Sequence, residues 1–319
     1  MELLAKGAYW TLLLCVSIIY SSSSTSASPA CNRKLYAPPW QLRSDQITIL
    51  ISGFAEKRLP LLKQIARSYS VTPIVHSIYI LWGNTSTPWA LLNHTDLVSL
   101  GAPVYVVRQE TTSLNDRFLP RTYIQTRAVL ICDDDITIDL DELKFAFQMW
   151  KENDRRIVGF FPRSHEYQLQ LKTWIYTIHP DRYSIMLTKL MILSTDYLYQ
   201  YTCAMPPGVK EYIDSNMNCE DIAMNFVVAN LTNQGPLLVN GKPRDWGDTR
   251  NSMNDLSSSA LSAKKQHRKN RGDCITVFHQ LWEGMPLRYS FGKAVNSVEE
   301  QVLCEKHGSL LPCNDQSET

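Results

Sequence analysis

A chain of 319 residues that is 44% hydrophobic and 20% charged has the composition of a folded globular protein, which excludes a disordered or low-complexity scaffold. Its 32 Lys and Arg balance 31 Asp and Glu to a net charge of +1, so overall charge recruits neither nucleic acid nor a membrane surface. The eight cysteines say more.

At the N-terminus, Lys6 precedes an apolar run from Gly7 to Tyr20 and a linker of serines and small residues from Ser21 to Ala30. The run is shorter than the roughly 20 apolar residues that span a bilayer, which favours a cleaved signal peptide ending near Ser26, Ala27 and Ser28 over an uncleaved membrane anchor. The chain then divides into a signal or anchor with its linker (1–30), a folded domain (44–295) and a C-terminal tail (296–319). The folded part is expected to face an oxidising lumen, where disulfides persist. Beyond Cys15 stand Cys31, Cys132, Cys203, Cys219, Cys274, Cys304 and Cys313, an odd set. Cys132 lies in an apolar strand and reads as the buried free thiol, and the other six can pair in several ways. Zinc has no support, since there is neither a C-x-x-C pair nor a histidine cluster at ligand spacing. Glycosylation sequons at Asn84, Asn93 and Asn230 agree with the secretory route, though each arises often by chance.

After Pro38 and Pro39, the β-branched run Ile47 to Ile51 predicts a first strand. A loop leads to Pro60, a favoured first helical residue, and Leu61, Leu62, Ile65, Ala66 and Tyr69 follow at helical spacing. Residues 78–82 predict a second strand, 89–98 a short helix and 104–107 a third strand. Strands alternating with helices predict parallel pairing. A segment carrying Arg108, Arg117, Arg121 and Arg127 then approaches Ala128 to Cys132, an apolar run followed at once by Asp133, Asp134 and Asp135. An unpaired buried carboxylate costs on the order of several kcal/mol, so the triplet belongs at the open end of a buried strand, beside a cation or in solvent.

Downstream, Asp139 and Glu142 predict a capping box, with Leu140, Leu143, Phe147 and Trp150 on one face of a core helix. Residues 157–161 read as a strand and 183–195 as an apolar stretch of either type. Glu220 and Asp221 precede the apolar run 222–228, where acids complement a helix dipole or, for Asp221, serve a site. Residues 243–271 read as a polar, solvated loop with a basic cluster of Lys264, Lys265, His267, Arg268, Lys269 and Arg271, ended by Cys274.

Asp133, Asp135 and Thr137 match the opening of a calcium loop of the EF-hand kind, but Ile138 stands where glycine is required and Lys144 where a bidentate glutamate belongs. Phosphate-binding glycine motifs are absent, and no local pattern supplies the further ligands of a two-metal phosphatase or nuclease. A single hard cation, Mn2+ or Mg2+, held by one or two carboxylates and otherwise by water and diphosphate oxygens, fits an Asp-x-Asp at a strand end. Sugar transfer from a nucleotide diphosphate needs such a cation, positive side chains on the phosphates and a carboxylate near the anomeric carbon. A non-catalytic sugar- or nucleotide-binding module and a structural calcium site are the other readings of the same acids.

Four collinear stretches then coincide: 117–135, Ile-Val-Gly-Phe-Phe-Pro-Arg-Ser-His at 157–165, Asn-Cys-Glu-Asp-Ile-Ala-Met-Asn-Phe-Val-Val at 218–228, and Met-Pro-Leu-Arg-Tyr-Ser at 285–290. Together they resemble the exostosin-like glycosyltransferases of family 64 over about 47–289. The resemblance implies an α/β protein of the GT-A nucleotide-diphospho-sugar transferase fold, with a Rossmann-like mixed sheet flanked by helices. It also implies Mn2+ dependence and transfer with retention of configuration. The sugar, HexNAc or mannose, would come from a UDP- or GDP-sugar and pass to a glycan or a glycosyl inositol phosphorylceramide in the Golgi lumen. The enzyme would be anchored to the membrane, or soluble after signal cleavage. Carried over by motif, Asp135 with Asp133 meets the metal, Asp133 and Asp134 face ribose and sugar, and Asp221 is the catalytic acid. Arg271 holds the diphosphate, Arg58 and Arg117 hold the nucleotide, and Cys219 pairs with Cys274. The chain departs from the family pattern at Gly83, within Trp82-Gly83-Asn84, and at Thr112, and it resembles the plant-type branch more than the animal one.

Overall fold

The computed structural model describes residues 29–92, 100–247 and 267–296, and the main chain of 303–306 and 308–312. The signal or anchor segment, the sequon at Asn93, Lys264, Lys265 and the side chains of Cys304 and Cys313 lie outside the described residues. Short 3-10 turns precede β1 (Arg43–Gly53), and another, Glu56–Arg58, leads into α1 (Leu59–Ser70). There follow β2 (Val75–Trp82), α2 (Trp89–Leu92), β3 (Val104–Arg108), a 3-10 turn at Leu114–Phe118, β4 (Thr126–Asp133), β5 (Ile136–Thr137) and α3 (Leu140–Glu152). Next are β6 (Val158–Gly159), β7 (Pro162–Gln168), β8 (Thr173–Thr177), β9 (Ile185–Met186), β10 (Leu190–Ser194), α4 (Asp196–Ala204), α5 (Val209–Asn216) and α6 (Glu220–Thr232). The described chain closes with β11 (Leu237–Val239), β12 (Arg244–Asp245), α7 (His267–Leu281), β13 (Lys293–Ala294), β14 (Leu303–Lys306) and β15 (Ser309–Pro312).

The main sheet has the order β13-β11-β6-β10-β4-β1-β2-β3. Strands β1 to β4 pair in parallel, as alternation with helices predicts, but β10 lies antiparallel between β4 and β6, so the sheet is mixed. Its direction follows from where the chain enters. β10 comes directly off a small β8-β7-β9 sheet and starts beside the acidic end of β4, where Asp133 N donates to the Lys189 carbonyl at 3.2 Å.

Both faces of the central strands are covered, which is why they read as unbroken apolar runs and not as alternation. Ile49, Ile51, Leu130 and Cys132 pack with Leu62, Ile65 and Tyr69 of α1 and Phe147 and Trp150 of α3. Leu50, Val129 and Ile131 face the opposite layer, with Phe226 of α6 and Phe278 of α7. Cys132 is the free, buried cysteine of the described residues, and burial pushes its thiol well above the ordinary range. Disulfides join Cys31 to Cys203 and Cys219 to Cys274.

Several local expectations change. The strand expected over 157–161 narrows to Val158–Gly159, where Gly159 is pressed against Met186 and the Leu190 carbonyl. The stretch 183–195 contains two strands, β9 and β10. Asp139 caps α3 by accepting from Asp141 N, but Glu142 accepts from Lys242 N at 2.8 Å, so no capping box closes. The basic cluster runs into α7 and is no loop at its C-terminal end: Arg271, Cys274, Ile275 and Phe278 recur at helical spacing and are buried, a periodicity hidden beneath the charge.

Helix α6 is fixed by one buried side chain. Asn225 accepts from Met186 N at 2.9 Å and donates to the Met186 carbonyl and the Asp221 carbonyl, each at 2.8 Å. Removing it strands the polar main chain of β9 away from water. Asn225→Ala is expected to lower unfolding free energy by about 2–4 kcal/mol, measured by urea titration; a loss under about 0.5 kcal/mol would show that this bridge does not fix the helix.

Candidate active site

From β1 the chain moves outward through β2 to β3 and then returns to lay β4 on the other side of β1. A crevice opens outside the carboxyl ends of strands where the order reverses, and ligands of open α/β sheets collect there. β1 and β4 reach it in register, Ser52 opposite Asp133. The apolar half of β4 is dictated by the core, and its polar end by the crevice.

Three arginines from three distant segments meet the acids. Arg58, in the turn after β1, places Nη1 2.8 Å from Asp134 Oδ1 and 2.8 Å from Asp135 Oδ2. Arg117, on the 3-10 turn after β3, lies 3.1 Å from Asp133 Oδ1 and 3.2 Å from Glu220 Oε1. That turn is held in place by Asn115, which donates to the Lys210 carbonyl at 3.2 Å and to Asp214 at 2.8 Å. Tyr201 OH in turn donates to Asn115 Oδ1 at 2.6 Å. Arg271 of α7 donates to Asp221 Oδ2 at 2.6 Å and to Asn218 Oδ1 at 3.2 Å, with its guanidinium 4.5 Å over the Tyr176 ring. All seven charged groups other than Asp133 are nearly sealed from solvent, Asp221 at 4% exposure and Arg271 at 5%. The Cys219–Cys274 bond links the start of α6 to α7 one turn beyond Arg271, and so brings Asp221 and Arg271 together.

The basic approach splits. Arg117 alone of its four arginines reaches the acids. Arg108 donates to the Thr85 and Thr87 carbonyls, Arg121 to the Leu119 and Asp116 carbonyls, and Arg127 pairs with Asp154 at 2.8 Å. Arg268 and Lys269 are exposed on α7, and Thr112 is exposed. The turn at Gly83 abuts the end of β1, with Gly83 N donating to the Gly53 carbonyl at 2.8 Å.

Residues not anticipated from the sequence complete the arrangement. Glu220 faces Arg117; its only signal was adjacency to Asp221. Lys189 pairs with Asp245, which lies beside Asp135. Asp245 is brought in by pairing of β12 with β5 and Lys189 by the start of β10 beside Asp133, and nothing local in the sequence marks either.

Electrostatically the acids are under strain as anions. Burial, then Asp133, Asp134 and Asp245 against the opposing Arg58, push Asp135 up to about 7. Burial and neighbouring Asp221, opposed by Arg117 and Arg271, push Glu220 up to about 7. Asp134 is likewise raised by burial despite Arg58. Burial works against the charge on Arg271, but Asp221 and Tyr176 outweigh it and raise its pKa. Among the described residues no three His, Cys, Asp or Glu side chains form a closed metal site. The triplet fits a cation that takes one or two protein carboxylates and completes its shell with ligand oxygens. Burial and three neighbouring carboxylates outweigh Arg58 at Asp135, so added positive charge would favour its ionised form.

Comparison with known proteins gives the family. The Glycosyl transferase family 64 domain matches residues 47–299. The Arabidopsis thaliana protein named Glycosyltransferase family protein 64 C3 is 46% identical over 97% of this chain and 98% of its own length. Arabidopsis thaliana Glycosylinositol phosphorylceramide mannosyl transferase 1 is 30% identical over 81% of this chain and 82% of its own. Human Exostosin-2 is 30% identical over 80% of this chain, which spans only 34% of that longer protein.

The raised acid at Glu220 makes stability depend on pH. Its folded pKa of about 7 lies above the 4.5 of an ordinary glutamate, so between those values the folded state holds a proton that the unfolded state releases. The resulting destabilisation is absent below about pH 4, grows as pH climbs and levels off above about pH 7. Glu220→Gln, a mimic of the neutral form, is therefore expected to raise the melting temperature relative to the parent more at pH 8 than at pH 5. A difference that is the same at both pH values would contradict the assignment.

Proposed function

Because the chain belongs to glycosyltransferase family 64, we propose that the β1–β4 crevice is the donor site of a retaining, Mn2+-dependent glycosyltransferase of GT-A fold. It moves a hexose or N-acetylhexosamine from a UDP- or GDP-sugar. The observation that carries this reading is the convergence of three buried arginines and two sets of acids, from five separate segments, at the switch point of the sheet.

Arg271 and Arg117 bind phosphate and nucleotide, and Arg58 orders the acid triplet beneath them. Asp133 and Asp134 face ribose and sugar. Asp135, with Asp133, would hold Mn2+, which supplies positive charge to the departing diphosphate. Asp221, fixed by Arg271, sets a carboxylate where positive charge develops at the anomeric carbon or where the acceptor hydroxyl must sit. The relative named for mannose transfer to glycosylinositol phosphorylceramide supports a glycolipid acceptor and a mannose donor. The two disulfides support an oxidising secretory lumen, which we assign to the Golgi, with 1–30 as signal or anchor and 44–295 as the catalytic domain. Among the described residues no helix is long and apolar enough to cross a membrane.

Two measurements test this. Screening UDP- and GDP-sugars for hydrolysis or transfer should find turnover that a chelator abolishes and Mn2+ restores; calorimetric donor affinity without product at any Mn2+ concentration would mark a binding module. On the active donor, Asp221→Asn should lower turnover by about 10²–10³ while donor affinity changes only a few-fold. Unchanged turnover would remove Asp221 from the mechanism.

A further inference from the structure

The segment Arg244–Gly247 passes over the acid triplet without belonging to any recognised motif. β12 pairs antiparallel with β5, Arg244 opposite Thr137 and Asp245 opposite Ile136, which brings the next two residues back onto Asp135. Trp246 N donates to the Asp135 carbonyl at 2.8 Å, and Trp246 Nε1 donates to Thr137 Oγ1 at 3.0 Å. The Arg244 guanidinium lies 3.9 Å over the Trp246 ring. On the other side, Gly247 N donates to Asp245 Oδ1 at 3.0 Å, and Asp245 pairs with Lys189, whose carbonyl accepts from Asp133 N. The strap is thus tied to both ends of the triplet.

Gly247 ends this strap, and its missing side chain has a specific cause. Its φ is not in the left-handed region, so its backbone conformation does not demand glycine. A Cβ there would instead fall well inside van der Waals distance of Asp135 Oδ2, and 3.3 Å from Asp245 Oδ1. That oxygen is the one Arg58 holds at 2.8 Å, and the Asp135 main chain is clamped by Trp246, so the carboxylate has to surrender its place to make room.

We propose that Gly247 is a positioning residue: by withholding a side chain over the acid triplet, it keeps Asp135 Oδ2 on Arg58 and so holds the carboxylate in the orientation from which it would take part in Mn2+ binding. The metal part of this inference rests on the reading of Asp135 as the Mn2+ carboxylate; the packing part does not.

The test is a double-mutant cycle on the full chain with Gly247→Ala and Asp135→Ala. Bound Mn2+ is counted by electron paramagnetic resonance with UDP or GDP present, and thermal unfolding is followed in chelator. Gly247→Ala should weaken Mn2+ binding by about 10-fold or more, the scale of lost support around a ligand. In chelator it should lower the melting temperature of the parent but leave unchanged or raise that of Asp135→Ala, where the opposing oxygen is gone. Mn2+ binding within twofold of the parent, or equal melting shifts in the two backgrounds, overturns the proposal. Should the parent itself take up no Mn2+, the Mn2+ reading fails on its own, and the melting cycle alone decides: coupling supports the positioning role and additivity overturns it.

Discussion

The structure depends on neutralising carboxylates gathered at a buried strand end. Asp133 at the end of β4 and Asp134 and Asp135 in the turn after it are joined there by Glu220 and Asp221 of α6 and by Asp245 of β12, against Arg58, Arg117, Arg271 and Lys189. An uncompensated buried charge costs about 3–5 kcal/mol, a large part of the roughly 5–15 kcal/mol that holds a domain together. The cluster persists because each arginine is shared between elements: Arg58 joins the turn after β1 to the end of β4, Arg117 joins the turn after β3 to β4 and α6, and Arg271 joins α7 to α6. Charge balance and element placement are the same constraint.

Topology explains why residues so distant in sequence can meet it. The return of the chain from β3 to β4 creates the crevice, and the antiparallel β10 closes its other side, delivering Lys189 beside Asp133. The remaining pair comes from the α6 and α7 layer, where geometry is set by two fixed points. Asn225 pins α6 to β9, and the disulfide from Cys219, itself in the left-handed region at φ 79°, ties the start of α6 to α7. With both in place, Asp221 and Arg271 have little freedom to part.

Much of this was legible in the sequence, for physical reasons that differ by residue. An unbroken, β-branched apolar run ended by three acids fits a fully buried strand whose polar end must meet cations or solvent, so β4 and its triplet could be read locally. The motif resemblance indicated Asp221, Arg271, Arg58 and Arg117, and the geometry brings all four to the crevice. The other three arginines before β4 could not be sorted, since their partners are main-chain carbonyls and an aspartate fixed by tertiary packing. Helix α7 was hidden because charge on its exposed face masked the spacing of Arg271, Cys274, Ile275 and Phe278. Asp245 and Gly247 were silent because their meaning arises only when a two-residue ladder between β12 and β5 lays one segment over another, and Lys189 because it depends on β10 pairing antiparallel with β4.

The two halves of the site hold their acids differently. Asp221 has Arg271 at 2.6 Å, a cation held further by Tyr176 and Asn218, an arrangement suited to holding one carboxylate in one orientation. In the other half one Arg58 nitrogen lies 2.8 Å from both Asp134 and Asp135, and Lys189 is paired with Asp245. Burial first, and then Asp133, Asp134 and Asp245, outweigh Arg58 and push Asp135 up to about 7. At one end of the crevice one arginine is shared between two carboxylates, and at the other Arg271 holds Asp221 while Glu220 is pushed up to about 7 beside it, so added positive charge would favour the ionised forms of Asp135 and Glu220 alike.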